Sequence, residues 1–185
     1  MARVFTLIFG EPGIGKSTAV KMALDGTIKV TDKLLPVKHV VYKSPRTGHY
    51  GAQIGRSTSP FPGTDGLGYS AAKQVLDWLS WCPYDNVIAE GDRLANMPFI
   101  QEVMADRFVF QAVHLYAPEP EFAEERRFNR SHLTGKLQNE SWVRGRRSKA
   151  FNLAKTLRDK VLWIDVTQLD AAEELRKQVA FRSLL

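Results

Sequence analysis

The chain has 185 residues, of which 44% are apolar and 25% are charged, and these values are ordinary for a single globular domain. They exclude a disordered chain, and the 13 glycines follow no collagen-like period. A single cysteine, Cys82, excludes an internal disulfide framework. The formal net charge of +6 favours polyanionic partners such as nucleotides and nucleic acid.

No apolar run approaches the roughly 18–20 residues that a membrane-spanning helix needs. The apolar stretch at residues 4–9 is too short for a secretory signal and runs directly into Gly10, Glu11 and Pro12. We therefore expect a cytoplasmic protein without a membrane partner.

The first predicted element is a buried strand over residues 3–9, and a helix is predicted over residues 16–24. Between them, the segment from Gly10 to Ser17 matches G-x-x-x-x-G-K-[ST] at every fixed position. In this context the glycines let the backbone wrap around phosphates, Lys16 reaches the β- and γ-phosphates, and the Ser17 hydroxyl ligates Mg²⁺. The predicted nucleotide-binding residues here are Gly10, Glu11, Pro12, Gly13, Ile14, Gly15, Lys16, Ser17 and Thr18.

Two extended stretches, residues 37–43 and 49–54, flank a turn-rich connection from Ser44 to Gly48. This pattern predicts a β-hairpin, interpreted as an insertion over about residues 37–55. Its basic residues make it a candidate for contacting a nucleic-acid duplex, and the alternative is a purely structural insertion. A loop over residues 56–68 follows, and a helix is predicted over residues 69–81.

Asp65 lies in that loop between glycine-rich neighbours. A carboxylate beside the acceptor is needed to accept or orient a hydroxyl proton during phosphoryl transfer, which makes Asp65 the candidate catalytic base. The alternative is a local N-cap or Asx-turn role.

A short strand over residues 86–89 is followed by Glu90, Gly91 and Asp92. Carboxylates at the carboxyl edge of a parallel sheet lie beside the phosphate loop, so Glu90 and Asp92 are candidate ligands of Mg²⁺ or of its waters. The alternative for Asp92 is a helix cap. Arg93 is a candidate catalytic residue that pairs with one of these acids or contacts a phosphate.

The later predicted elements are helices over residues 97–107, 120–130, 148–160 and 171–182, and strands over residues 108–116 and 161–165. Strands that alternate with helices, without an internal repeat, predict a single α/β domain of three layers with a mostly parallel sheet.

Residues 129–149 are polar and strongly basic. From Arg126 to Lys149 the chain carries eight basic residues against one acid, Glu140. Beside a phosphate site this predicts a lid over residues 129–149, with Arg130, Arg144, Arg146 and Arg147 available to clamp the phosphates. Arg126 and Arg130 are the candidate nucleotide-binding residues and Arg144 and Arg147 the candidate catalytic residues, although the sequence does not single out one of these arginines. The alternative is a solvated basic loop.

The phosphate loop, the acid-ended strand, the arginine-bearing segment and the final strand–helix unit resemble the nucleoside monophosphate kinase fold over nearly the whole chain. The layout is most similar to that of phage polynucleotide kinases. This resemblance implies a P-loop kinase that uses ATP and Mg²⁺.

Three segments carry a narrower resemblance: residues 53–56 (QIGR), 61–67 (FPGTDGL) and 87–93 (VIAEGDR). They are similar to phage P-loop kinases that phosphorylate the hydroxymethyl group of 5-hydroxymethyluracil in DNA during hypermodification. The resemblance implies DNA containing a modified pyrimidine as substrate, Asp65 as the acceptor-activating acid, Arg56 near the substrate, and the host cytoplasm as the site of action.

Two other functions fit the same sequence. One is a kinase for free nucleosides, nucleotides or another small molecule. The other is a nucleotide-dependent DNA-binding ATPase module. A GTPase is disfavoured because the sequence lacks the guanine-specific Asn-Lys-x-Asp motif.

Overall fold

The computed structural model of the protein describes residues 3–33, 35–55, 64, 67–68, 70–106, 108–135, 138–168 and 173. The described strands are β1 (Arg3–Gly10), β2 (Ile28–Lys33), β3 (His39–Lys43), β4 (Tyr50–Ile54), β5 (Asn86–Glu90), β6 (Phe108–Tyr116) and β7 (Val161–Asp165). The described helices are α1 (Lys16–Ala23), α2 (Ala71–Leu79), α3 (Met97–Ala105), α4 (Glu121–Thr134) and α5 (Glu140–Leu157). A 3₁₀ turn at Arg158–Lys160 connects α5 to β7.

The strands form one sheet in the order β2-β3-β4-β5-β1-β6-β7. The five strands from β4 to β7 in this order are parallel to one another, while β3 is antiparallel to both β2 and β4. The predicted α/β fold with a mostly parallel sheet is confirmed. The carboxyl ends of β1 and β5 lie side by side, because Ile8 pairs with Glu90 in the register.

Helices cover both faces of the sheet and give the predicted three layers. On one face, α1 and α4 pack against a core that includes Ile8, Val20 and Val113. On the other face, α2, α3 and α5 pack against a core that includes Phe5 and Phe9. Side chains of β1 therefore pack alternately into the two cores, as expected of a central strand in a sheet that is covered on both faces.

The predicted hairpin is present as β3 and β4, which pair antiparallel across the Ser44–Gly48 turn. However, β4 also pairs in parallel with β5, so the hairpin is built into the main sheet and is not inserted beside it. The sequence reasoning did not find β2, which is exposed along most of its length at the edge of the sheet. An edge strand that contributes little to the core carries only a weak hydrophobic signal.

The segment predicted as a lid is mostly helical. Helix α4 continues to Thr134 and ends at Gly135, whose positive φ of 66° suits a C-cap glycine. Helix α5 begins at Glu140, eight residues before its predicted start, after Asn139 Oδ1 accepts a hydrogen bond from Trp142 N at 3.1 Å. Among the described polar residues of this segment, Ser131 therefore lies on α4, Asn139 is the N-cap of α5 and Ser141 lies in its first turn.

The predicted helix over residues 171–182 lies outside the described residues apart from Glu173. Within the part of the chain that the structure describes, no helix is long and apolar enough to cross a bilayer.

Candidate functional site

The loop between β1 and α1 has the backbone of a phosphate cradle. Gly13 and Gly15 have φ values of 89° and 102°, which lie in the region that favours glycine. Gly15 precedes α1 without a side-chain cap, so the first-turn N–H groups of this helix point towards the loop and suit an anion. A Cβ on Gly13 would lie 2.7 Å from the carbonyl oxygen of Ala123, so the loop packs tightly against α4.

Lys16 and Ser17 lie where the motif predicts them. The Nζ atom of Lys16 donates hydrogen bonds to the carbonyl oxygens of Gly10 at 3.0 Å and Glu11 at 2.9 Å, which holds the ammonium across the loop. The Ser17 hydroxyl donates to Glu90 Oε2 at 2.9 Å. The structure therefore brings together Ser17 and Glu90, two of the three predicted metal-binding residues.

Glu90 is only 2% exposed and ends the strand beside the loop. A serine hydroxyl and a carboxylate oxygen suit Mg²⁺, which takes few protein ligands and keeps waters and phosphate oxygens as the others. Among the described residues, no cluster of three or more His, Cys, Asp or Glu side chains is available for a metal. This donor set fits Mg²⁺ bound together with a nucleotide and does not resemble an all-protein metal site.

Asp92, the third predicted metal ligand, faces helix α5. It forms ion pairs with Arg146 and with Lys149, whose Nζ lies 3.5 Å from Asp92 Oδ1. The alternative role of Asp92 as a helix cap is wrong, because the Asn96 side chain caps α3 by accepting from Phe99 N at 3.1 Å. We therefore assign Asp92 the anchoring of α5, which sequence reasoning missed because α5 was predicted to start too late.

Arg93, the neighbouring candidate catalytic residue, is half-buried in the loop after β5. Its catalytic role stays a prediction.

The arginines of the basic segment differ in their positions. Arg127 and Arg147 both approach Glu11 in the phosphate loop, at 3.6 Å and 3.7 Å respectively. A Cβ on Gly15 would lie 2.9 Å from Arg126 Nη1, which places this guanidinium at the loop as well. Arg130 and Arg144 are exposed on α4 and α5, and their predicted roles are untested.

Sequence reasoning included Glu11 only as one residue of the loop, and it counted Arg127 in the basic segment without giving it a role. The side chain of Glu11 is buried, with 5% of the residue exposed. Burial raises the pKa of the Glu11 carboxyl, and the guanidinium groups of Arg147 and Arg127 oppose that rise. The sequence did contain a signal for the ion pairs of Glu11 with Arg127 and Arg147. A carboxylate inside an anion-binding loop needs a nearby cation, and the basic segment supplies several.

Asp65 lies outside the described residues, as does Arg56. The neighbouring Thr64 is fully buried, and its hydroxyl donates to the carbonyl oxygen of Glu90 at 2.8 Å. The chain directly before Asp65 is therefore anchored at the carboxyl end of β5.

The predicted contact of the hairpin with a duplex stays a prediction, because the turn of the hairpin and its two ends lie at opposite edges of the sheet. Its turn lies at the amino edge of the parallel strands, where Gly51 pairs with Asn86 and His49 Nδ1 lies 3.8 Å from Asp85 Oδ2. The phosphate loop and Glu90 lie at the opposite, carboxyl edge. His39 is buried against Trp78 and is not available to a duplex.

His114 is a buried residue that sequence reasoning also missed. It is 3% exposed and its ring stacks on that of Phe9, with 5.1 Å between centroids. Its Nδ1 atom has no hydrogen-bond partner among the described residues. Burial, and secondarily the charge of Lys16, lowers the pKa of His114 to about 4, so the ring is neutral near pH 7.

The parallel sheet, the glycine-rich loop at the end of β1 and the adjoining Ser17–Glu90 pair define a P-loop nucleotide-binding protein. The chain matches the sequence model of the P-loop Nucleotide Kinase3 family over residues 1–171 and belongs to that family. It is accordingly a kinase-type phosphotransferase. A comparison with curated proteins found no match.

Proposed function

We propose that this kinase transfers the γ-phosphoryl group of ATP, in the presence of Mg²⁺, to the 5-hydroxymethyl group of 5-hydroxymethyluracil in DNA. The hydrogen bond of 2.9 Å between Ser17 and Glu90, directly beside the loop that holds Lys16, is the main structural support for metal-assisted phosphoryl transfer. The resemblance of residues 53–56, 61–67 and 87–93 to phage hydroxymethyluracil kinases supports the choice of acceptor, as does the net charge of +6.

In the proposed mechanism, the loop amides and Lys16 bind the phosphates, and Ser17 and Glu90 hold the metal ion. When bound, Mg²⁺ neutralises charge on the β- and γ-phosphate oxygens. Asp65 accepts the proton of the acceptor hydroxyl as its oxygen bonds to the γ-phosphorus. The bond from the γ-phosphorus to the bridging oxygen breaks, and ADP leaves. Arg126 and Arg147, near the loop, stabilise the developing charge.

A DNA acceptor is chemically reasonable because the C5 substituent of a pyrimidine points into the major groove. The hydroxymethyl group is accessible there, although enzymes that modify bases commonly extrude them from the duplex. The acceptor oxygen is the only difference from the methyl group of thymine, which gives the substrate claim a matched control.

The decisive experiment uses two DNA duplexes of identical sequence, one with 5-hydroxymethyluracil and one with thymine, together with ATP labelled at the γ-phosphate. We expect label in the hydroxymethyluracil duplex alone, and none with the Lys16→Ala variant. Mass spectrometry of the digested DNA should show a phosphate on the hydroxymethyl oxygen. Equal labelling of both duplexes would place the phosphate at another hydroxyl and overturn the proposal.

A second candidate is a kinase for a free nucleotide, and the description of its family as nucleotide kinases favours this function. Label in free hydroxymethyldeoxyuridine monophosphate, without label in the polymer, would establish it. Phosphate release without any labelled acceptor would instead indicate a DNA-binding ATPase.

Salt dependence provides an independent check on a polymeric substrate. Each phosphate contact with a duplex should contribute a slope of about −0.9 to the logarithm of the binding constant against the logarithm of salt concentration. We expect a steep loss of duplex affinity as salt rises, whereas a flat response would favour the small acceptor.

The role of Asp65 is tested by Asp65→Asn, which retains the size of the side chain and removes its basicity. We expect a fall in turnover of about 10²–10⁴-fold with unchanged ATP binding. Near-normal turnover would remove Asp65 from the mechanism.

A further inference from the structure

The phosphate loop contains a buried carboxylate, which is unexpected in a site that binds anions. Glu11 repels a triphosphate and loses hydration through burial, so its retention requires compensating cations. Lys16 contributes less than the arginines to this compensation, and its ammonium donates its hydrogen bonds to two main-chain carbonyls. The side chain of Glu11 lies instead between two arginines from two different helices.

These two arginines are held differently. Arg127 of α4 lies with Nη1 3.6 Å from Glu11 Oε2 and donates a hydrogen bond to the carbonyl oxygen of Pro12 at 2.9 Å. Its side chain is 12% exposed, so Arg127 is fixed against the loop. Arg147 of α5 has its Nε atom 3.7 Å from Glu11 Oε1, and its side chain is 39% exposed. Arg147 is therefore held near the loop while its side chain stays partly exposed to solvent.

We propose that Glu11 is a positioning residue that holds the Arg147 guanidinium beside the phosphate loop, in reach of the terminal phosphate of the bound nucleotide. The inference rests on the proposed function, since it concerns the same phosphate site. Helix α5 is then aligned with the loop before the nucleotide arrives, and Arg147 loses little side-chain freedom on binding.

A purely structural role for Glu11 makes a different prediction. In that case Glu11 would only fasten α4 to the loop through Arg127, and the contribution of Arg147 to binding would not depend on it. Glu124 offers a matched control, because its exposed carboxylate also approaches Arg127, at 3.9 Å, but from outside the loop.

The test is a double-mutant cycle measured by calorimetric titration with a non-hydrolysable ATP analogue at fixed Mg²⁺ and low salt. Arg147→Gln should weaken binding about tenfold in the wild-type background, as expected for loss of a charge-assisted contact. In the Glu11→Gln background the same change should cost less than about threefold. With ADP, which lacks the terminal phosphate, Arg147→Gln should have little effect in either background.

Two outcomes overturn the inference. Either Arg147→Gln weakens binding of the ATP analogue by the same factor in both backgrounds, or it does not weaken binding in the wild-type background. In the Glu124→Gln background, Arg147→Gln should weaken binding of the ATP analogue by the same factor as in the wild-type background. If Glu11→Gln does not fold, Glu11→Asp replaces it, because the shorter carboxylate keeps the charge and retracts it from Arg147. In the Glu11→Asp background, Arg147→Gln should then weaken binding by a factor between those of the wild-type and Glu11→Gln backgrounds. A factor as large as in the wild type overturns the inference.

These measurements need no acceptor, so they separate the two proposals. Coupling between Glu11 and Arg147 without transfer to DNA would leave this inference intact and overturn the proposed substrate. Transfer to DNA without coupling would overturn this inference alone.

Discussion

At the scale of single residues, the contact between Ser17 and Glu90 joins two segments 73 residues apart in the chain. Glu90 is the last residue of β5, and Ser17 lies in the first turn of α1, after the loop that follows β1. The register of β1 and β5 brings the carboxyl ends of the two strands together. The hydroxyl and the carboxylate thus reach the same point because the sheet places them there.

Glu90→Gln tests this pair. The amide keeps the size of the side chain and an acceptor for Ser17, but it removes the anionic oxygen that Mg²⁺ prefers. We expect turnover to fall about 10²–10³-fold and the Mg²⁺ concentration for half-maximal rate to rise. Rates measured across a magnesium titration provide the check.

Glu102→Gln is the control, because Glu102 is exposed on α3. It should leave the titration unchanged. An unaltered magnesium dependence in Glu90→Gln would remove Glu90 from the metal site.

Gly13 tests the close packing of the loop on α4. In Gly13→Ala the new Cβ would lie 2.7 Å from the Ala123 carbonyl oxygen and 2.8 Å from Arg127 Cγ, at a φ of 89°. We expect a loss of about 1–3 kcal/mol in the free energy of unfolding and weaker ATP binding. Urea denaturation and nucleotide titration measure the two effects.

Gly145→Ala is the matched control, because a Cβ at this position in α5 meets nothing within 4 Å. It should raise the free energy of unfolding by up to about 1 kcal/mol through helix propensity. If neither Gly13→Ala nor Gly145→Ala lowered the free energy of unfolding, the close packing at Gly13 would not restrict the residue at this position.

The residues of the site were predictable to different degrees. Lys16 and Ser17 follow from a local motif, and Glu90 follows from its place at the end of a buried strand. The partners of Glu11 and Asp92 depend on where α5 begins and how it rests on two loops. That information is tertiary, and no local pattern contains it.

At the scale of elements, α5 is important because it carries Arg146, Arg147 and Lys149. Its first turn depends on Asn139, which accepts hydrogen bonds from Trp142 N at 3.1 Å and from the Ser141 hydroxyl at 2.7 Å. The helix therefore has a defined start close to its functional arginines.

Asn139→Ala removes this cap. We expect a loss of about 1 kcal/mol in the free energy of unfolding and faster amide exchange in the first turn of α5. Ser148→Ala, at an exposed position within the same helix, should not lower the free energy of unfolding and should leave amide exchange in the first turn unchanged. Unchanged exchange in the first turn would show that the cap does not stabilise this helix.

The predicted elements were most accurate where burial dictates the pattern. The strands over residues 108–116 and 161–165 agree with β6 and β7, because apolar runs bounded by turns leave little choice. The start of α5 was wrong because its first turns are polar and exposed, so composition alone resembled a loop. Strand β2 was missed because it covers no core.

At the scale of the whole molecule, two buried histidines connect stability to pH. The pKa of His114 is lowered to about 4 from an ordinary value of 6.5, and burial also lowers the pKa of His39. Between pH 6.5 and 4 the unfolded chain binds a proton at His114 that the folded protein does not. The free energy of unfolding should therefore decrease as pH falls through this range, by at most about 3 kcal/mol from His114.

His114→Phe should remove that part of the pH dependence, since the ring already stacks on Phe9 and its Nδ1 atom has no partner among the described residues. The share due to His39 should remain. Urea denaturation at pH 7 and pH 5 measures both. An unchanged slope in the variant would mean that His114 does not govern the acid sensitivity.

The neighbouring residues Arg146 and Arg147 bind carboxylates that belong to different loops, Asp92 after β5 and Glu11 after β1. Successive residues of a helix are separated by about 100° around its axis, so adjacent side chains of α5 reach two different loops and connect them through the helix. A roll of this helix that breaks one pair also strains the other. Two ion pairs from adjacent residues thus fix the rotation of α5 about its own axis relative to both loops.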